Sequence, residues 1–117
     1  MKNMQWELGI ERKNIDLSIE NEQFKLETPN TSMQFKLEWF VAGEMINQLR
    51  ALMVPPFIQK ETMAQDIDGT TLMLDFVMNS NDHWVMDLSY GNDKFYAELS
   101  RNDLGRIAYV LDSYLNS

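Results

Sequence analysis

Cysteine is absent from this chain, so no disulfide and no thiolate metal site can form, and the fold must rest on packing alone. Histidine is nearly absent too: His83 is the only one, which leaves acid–base chemistry short of its commonest agent. The five glycines build neither a phosphate-cradling loop nor a nucleophile elbow. Basic residues are few, 10 against 18 acidic ones, and the net charge of -8 weakens attraction to phosphate backbones while favouring basic partners. No stretch approaches the roughly 18 apolar residues of a membrane span. The opening MKNMQWELGIERK has no apolar h-region, so no signal peptide is expected and the cytoplasm is the expected location. No linker rich in proline or glycine divides the 117 residues, which predicts a single domain over 1–117 with one core.

What the chain does have is periodicity. Apolar and polar side chains alternate in Met4-Trp6-Leu8-Ile10, in Ile15-Leu17-Ile19, in Phe24-Leu26 and in Met33-Phe35-Leu37-Trp39. Period two predicts four antiparallel strands with one wet face. The spacing then becomes three and four through Val41, Met45, Leu49, Leu52 and Met53, a helix of about three turns that Pro55-Pro56 cannot continue. The same order follows: a run from Phe57 to Asp66, then Leu72-Leu74-Phe76-Met78, Trp84-Met86-Leu88-Tyr90 and Phe95-Ala97-Leu99. A second helix carries the stripe Leu104, Ile107, Ala108, Leu111 and Leu115. At its start Ser100 or Asn102 can cap free N–H groups, and Asp103 suits the dipole.

The expected fold class is therefore α+β. Two ββββα units stand in tandem, 1–54 and 57–117, their antiparallel sheets carrying two helices on the apolar faces, with a C-terminal helix over 101–116. A shift of 60 lays NEQFKLE (21–27) on NDHWVMD (81–87), and Phe35 and Glu38 on Phe95 and Glu98, which suggests an internal duplication. The turn Tyr90-Gly91-Asn92-Asp93 pairs Leu88 with Phe95, Met86 with Ala97 and Trp84 with Leu99. Moved by 60, that register sets Leu26 opposite Leu37, Thr28 opposite Phe35, Glu27 opposite Lys36 and Lys25 opposite Glu38, so that opposite charges face each other. The pentapeptide QFKLE, present at 23–27 and 34–38, then forms successive strands of one hairpin.

Chemistry is sparse. His83 beside Asp82 could be a base oriented by a carboxylate, but its place on a polar strand face fits an exposed edge histidine better. The carboxylates Glu27, Glu38, Asp87 and Glu98 recur at equivalent strand positions, where solvated charges belong. Asp66-Ile67-Asp68-Gly69 departs from a calcium loop, since Gly69 comes too early and Val77 stands where the bidentate carboxylate should be. An Asp-Gly hairpin turn accounts for it. Nine methionines are many; Met45, Met53, Met73, Met78 and Met86 fit core or near-core positions. Trp39-Phe40-Val41 is a continuous bulky apolar run that begins with two aromatics. It suits a buried strand-to-helix corner, or an anchor for a partner.

Two segments, LEWFVAGEMINQLRALM and KFYAELSRNDLGRIAYVLDSYL, resemble the WapI-like immunity proteins of bacterial polymorphic-toxin systems. In those proteins an early strand set leads into a helix with regularly spaced leucines, and a strand feeds a terminal helix. The resemblance implies a small, acidic, cytoplasmic protein that binds and occludes a toxin. The order of elements also resembles the whirly and PUR-type tandem ββββα folds, which implies single-strand nucleic-acid binding. Such binders need basic grooves with aromatic platforms, and here Lys25, Lys36, Lys94 and Tyr96 share their faces with as many carboxylates.

The expected function is a non-enzymatic binding protein of the immunity or inhibitor type, with a basic toxin or effector as partner. The alternatives are a nucleic-acid module or a homodimeric structural module joined through sheet edges. The candidate partner-binding residues are Trp39, Phe40, Glu27, Glu38, Asp87, Tyr96 and Glu98. No catalytic residue, cofactor or metal is expected.

Overall fold

Strands whose apolar residues recur every second position can bury only one face, and this chain pairs them into two such sheets. The computed structural model describes residues 4–8, 15–56 and 58–116; Ile10 and Phe57, named above, lie outside them. The order is β1 (Met4–Leu8), β2 (Ile15–Glu20), β3 (Gln23–Glu27), β4 (Ser32–Lys36), α1 (Trp39–Met53), β5 (Lys60–Ile67), β6 (Thr70–Met78), β7 (Trp84–Tyr90), β8 (Asp93–Leu99) and α2 (Arg101–Leu115). β1 to β4 form one antiparallel sheet in sequence order, and β5 to β8 another. The expected tandem ββββα architecture is the one observed.

Tight turns follow from local chemistry. Asn21 and Glu22 both take positive φ between β2 and β3, as do Asp68 and Gly69 between β5 and β6. The stretch Asp66 to Gly69 is thus a hairpin turn, held by Thr71 Oγ1 donating to Asp66 Oδ1 at 2.8 Å. Gly91, at φ +62°, closes the β7–β8 hairpin, and its register is the expected one: Leu88 faces Phe95, Met86 faces Ala97 and Trp84 faces Leu99.

The β3–β4 hairpin departs from expectation. Leu26 pairs with Met33 and Phe24 with Phe35, not Leu26 with Leu37 or Thr28 with Phe35. The cause is Pro29-Asn30. Proline presets the φ of a turn's second position, so the chain reverses at Thr28 to Thr31, before the point a shift of 60 would give. Thr28 N–H donates to the Thr31 carbonyl at 2.8 Å, and Thr28 Oγ1 accepts from the Asn30 and Thr31 amides at 3.3 and 3.1 Å. As a result Glu27 does not face Lys36, nor Lys25 Glu38; Lys25 pairs along its own strand with Glu27 at 3.8 Å, and Lys36 with Glu38 at 3.2 Å. Phe35, the partner of Phe24, corresponds to Leu99, the partner of Trp84, four residues beyond the Phe95 that a constant shift selects.

The buried residues form a continuous cluster spanning both sheets and both helices. Phe24 and Phe35 stack with ring centroids 5.1 Å apart, and Phe35 meets Tyr90 of the second sheet at 6.1 Å. α1 packs on α2 and along β5, while α2 reaches β1 and β8. Each helix also bonds into the other unit: Gln48 Nε2 donates to the Leu74 carbonyl at 3.2 Å, and the Tyr114 hydroxyl donates to the Leu37 carbonyl at 3.3 Å.

α2 starts with a capping box, in which Ser100 and Asp103 bond reciprocally. Its core face is rotated from the expected stripe. Val110 and Tyr114 are buried with Leu104, Ile107 and Leu111, whereas Ala108 and Leu115 sit at the margin. Met45 and Met86 are in the core and Met53 and Met78 pack at its edge, but Met73 is exposed on the outer face of β6, contrary to expectation. Among the described residues no helix is long and apolar enough to cross a membrane.

Candidate functional site

The passage from β4 into α1 forms a corner. Leu37 is buried, Glu38 caps the helix through its backbone, and Ala42 N–H donates to the Glu38 carbonyl at 3.0 Å. Glu38 therefore lies off the strands and is no counterpart of Glu98. The buried positions of α1 are 41, 42, 45, 46, 48, 49 and 52. At 100° per residue this turns Trp39 away from the core and leaves Phe40 on its flank. Trp39 is 73% exposed and Phe40 36%, so the buried-corner expectation holds for Val41 alone. The two rings meet edge to face, centroids 6.0 Å apart at 87°.

Carboxylates surround this corner. The Lys36 ammonium sits next to Glu38, which accepts its hydrogen bond and raises its pKa; Asp68 and Glu22 add to the effect. Those two acids come from the β5–β6 and β2–β3 turns, so the tips of hairpins from both sheets converge here. Burial raises the pKa of the Tyr114 hydroxyl, and Glu22 and Glu38 reinforce it.

Two open clefts lie along α1 and β5. One, about 500 Å³, is lined by Phe40, Ala64, Gln65, Asp66 and Thr71. The other, about 280 Å³, is lined by Glu44, Asn47, Gln48, Glu61, Thr62 and Met63. Gln65 Nε2, from the lining of the first, donates to Glu44 Oε1, from the lining of the second, at 2.6 Å.

The remaining candidates lie elsewhere. Asp87 and Tyr96 face each other on the outer side of the second sheet, and Glu98 stands in the adjoining row opposite Val85. Asp87 is also directly opposite Asp75 on β6. The histidine's carboxylate neighbour is Glu98, not Asp82: His83 Nδ1 lies 3.3 Å from Glu98 Oε1, and Asn79 Nδ2 donates to the other oxygen. Glu27 ends β3 beside Lys25, at the opposite end of its hairpin from Glu38. The structure thus gathers Glu38, Trp39 and Phe40 in one place and Asp87, Tyr96 and Glu98 in another, with Glu27 in neither.

Sequence reasoning missed Glu22, Asp66 and Asp68 around the corner, and Glu44, Gln48 and Glu61 along the clefts. For the clefts a signal existed, since Phe40, Glu44 and Gln48 are spaced four apart on one side of a helix. For the turn acids there was none, because two turns far apart in sequence meet only in the folded chain. Compared with known proteins, the chain matches no family model and no curated protein sequence.

Proposed function

We propose that this chain is a non-enzymatic binding protein of the immunity or inhibitor type, acting in the cytoplasm by occluding a basic toxin or effector. The observation that carries the reading is the exposed Trp39 ring, set edge-on against Phe40 with Asp66 in the cleft beside it. An exposed aromatic pair with acidic side chains nearby fits the composition of a binding hot spot, where truncating one residue typically costs 2 kcal/mol or more. The acidic surround would speed encounter with a basic partner. The net charge of -8 works in the same direction. An origin of the two units by duplication belongs to this reading; it is supported by their shared element order and by Phe24 and Trp84 filling matching buried positions.

The test is recovery of a stoichiometric partner by the tagged protein from its host's lysate at low salt, with release as salt is raised. Trp39→Ala with Phe40→Ala should weaken that complex at least 30-fold, the equivalent of about 2 kcal/mol, with an unchanged circular-dichroism spectrum. A complex that survives this double substitution, or recovery of the protein alone, refutes the proposal.

A further inference from the structure

The two sheets present matching outer faces with unlike side chains. On the first, every outward position of β2, β3 and β4, from Asp16 to Lys36, is polar. On the second, Met73 and Val77 of β6 are 42% and 41% exposed, and Tyr96 of β8 is 71% exposed. Val85 of β7 stands directly opposite Val77 and is half-buried. A solvated sheet face has no packing need for such residues, and neighbouring exposed apolar side chains mark interaction sites.

Within this apolar frame stands an acidic pair. Asp75, between Met73 and Val77 on β6, lies directly opposite Asp87, and Asp87 faces Tyr96. Like charges in that position destabilise a sheet. Among the described residues neither aspartate forms an ion pair, and the lysines of this face, Lys60 and Lys94, stand in the neighbouring rows opposite Val77 and Ser89. The fold therefore gains nothing from the pair. The face also continues towards the aromatic corner, because Met73 pairs with Ala64, which lines the same cleft as Phe40.

We infer that the outer face of β6, β7 and β8 is a docking surface for the basic partner, which sets a cation over Asp87 and apolar side chains against Met73, Val77, Val85 and Tyr96. The inference rests on the reading of the chain as a binder of a basic protein and extends its contact from the corner across the sheet. Asp87 is exposed and meets the cation beside the Tyr96 ring; Asp75, half-buried next to it, adds its charge. A second copy of the chain does not suit the face, since a two-fold contact would press one acidic centre against another, and the net charge of -8 opposes it further. The patch measures about 13 Å along β6 and about 10 Å across three strands, at roughly 3.3 Å per residue and 4.8 Å per strand. That is a fraction of the roughly 800 Å² each partner gives to a standard interface, so face and corner serve one contact together.

The test is an NMR titration of the 15N-labelled full chain with an end-blocked peptide of alternating arginine and leucine at low salt. Shifts should concentrate on the backbone amides of β6, β7 and β8 and spare the outer face of β2, β3 and β4. A peptide of alternating arginine and serine should bind about tenfold more weakly, as should the first peptide to Val77→Thr with Tyr96→Ser, because each change removes part of the apolar contact. A peptide of alternating glutamate and leucine should not bind. Asp87→Asn, which relieves the repulsion with Asp75, should weaken binding while leaving the urea midpoint unchanged or higher. Gln34→Ala on the first sheet should leave the titration as it is. Equal shifts on both outer faces, glutamate peptide binding as tight as arginine peptide, or a folded Val77→Thr, Tyr96→Ser variant that binds normally each overturn the inference. So does a dimer in light scattering that this variant dissolves, since a second copy would then be the occupant. Failure of the face and failure of the function separate cleanly. A partner complex indifferent to Val77→Thr with Tyr96→Ser removes the face alone, whereas peptide binding on the face without any protein partner removes the function alone.

Discussion

Removal of the Asp103 carboxylate should be among the most damaging single changes in the chain. Asp103 is 0% exposed, yet its oxygens accept from Ser100 N–H at 2.8 Å, Ser100 Oγ at 3.0 Å and Arg106 Nη1 at 3.3 Å. In return Asp103 N–H donates to Ser100 Oγ at 3.2 Å. Ser100→Ala removes the cap and should cost about 1 kcal/mol. Asp103→Ala leaves the Ser100 amide and hydroxyl and the half-buried Arg106 without their acceptor, and should cost about 3 kcal/mol, since bonds to charged groups contribute most. The double variant should also lose about 3 kcal/mol, not 4, because the Ser100 and Asp103 bonds are counted in both singles. At this size roughly 4 °C accompanies each kcal/mol, so Asp103→Ala should melt about 12 °C below the parent. Urea unfolding followed by the fluorescence of buried Trp84 and by far-UV circular dichroism gives the four energies, provided the slope against urea is constant. An Asp103→Ala loss below about 1 kcal/mol, or strict additivity, would show that the box does not hold the start of α2.

Alkaline pH should destabilise the fold. Below about pH 10 the Tyr114 phenol is neutral in both states; above it the unfolded chain ionises while the folded one, with a raised pKa, keeps its proton, so stability falls. The raised Lys36 pKa acts in the same direction, its favourable charge being lost as pH rises through the folded value. Denaturation curves between about pH 9 and 11 should show the decline, and Tyr114→Phe should flatten part of it; an identical slope in the variant refutes the tyrosine's share. The β3–β4 register predicts cross-strand NOEs from Leu26 to Met33 and from Phe24 to Phe35. A Leu26–Leu37 contact in their place would restore the longer hairpin. Gly91→Ala should cost about 1–2 kcal/mol, because φ is +62° and the new Cβ would stand 3.2 Å from Thr70 Cγ2. Adding Thr70→Ser, which deletes that methyl, should recover part of the loss in thermal melts; no recovery would mean that the backbone alone sets the penalty.

Most of the architecture was legible because period and punctuation act locally. Alternation fixed which residues of β2, β3, β6, β7 and β8 point inward, Pro55-Pro56 ended α1, and the stretch Ser100 to Asp103 marked the start of α2, where the choice between Ser100 and Asn102 as cap fell to Ser100 in the structure. The β3–β4 register failed because likeness to the second half outweighed the turn chemistry of Pro29, which acts on its own residues. The α2 face was misjudged at Tyr114, an amphipathic side chain that buries its ring while its hydroxyl meets Leu37. Trp39 looked like a core residue because size and hydrophobicity usually mean burial. Only its phase relative to Val41, Met45 and Leu49 shows that it faces solvent. The candidate site was half legible: the run Trp39-Phe40 stood out in sequence, but the acids near it depend on which turns meet in space.

That dependence has a structural origin. α1, which leaves the first sheet, lies along β5 of the second and bonds to Leu74; α2, which leaves the second, reaches β1 of the first and bonds to Leu37. The exchange lets each helix cover apolar surface that the other unit supplies. It also explains why carboxylates from both units surround the same corner. Glu22 and Glu38 belong to the first unit and Asp66 and Asp68 to the second, and both clefts are lined by residues of α1 and β5. Neither unit alone brings these carboxylates together, so their arrangement depends on the crossing of the helices as much as on the exposed residues themselves.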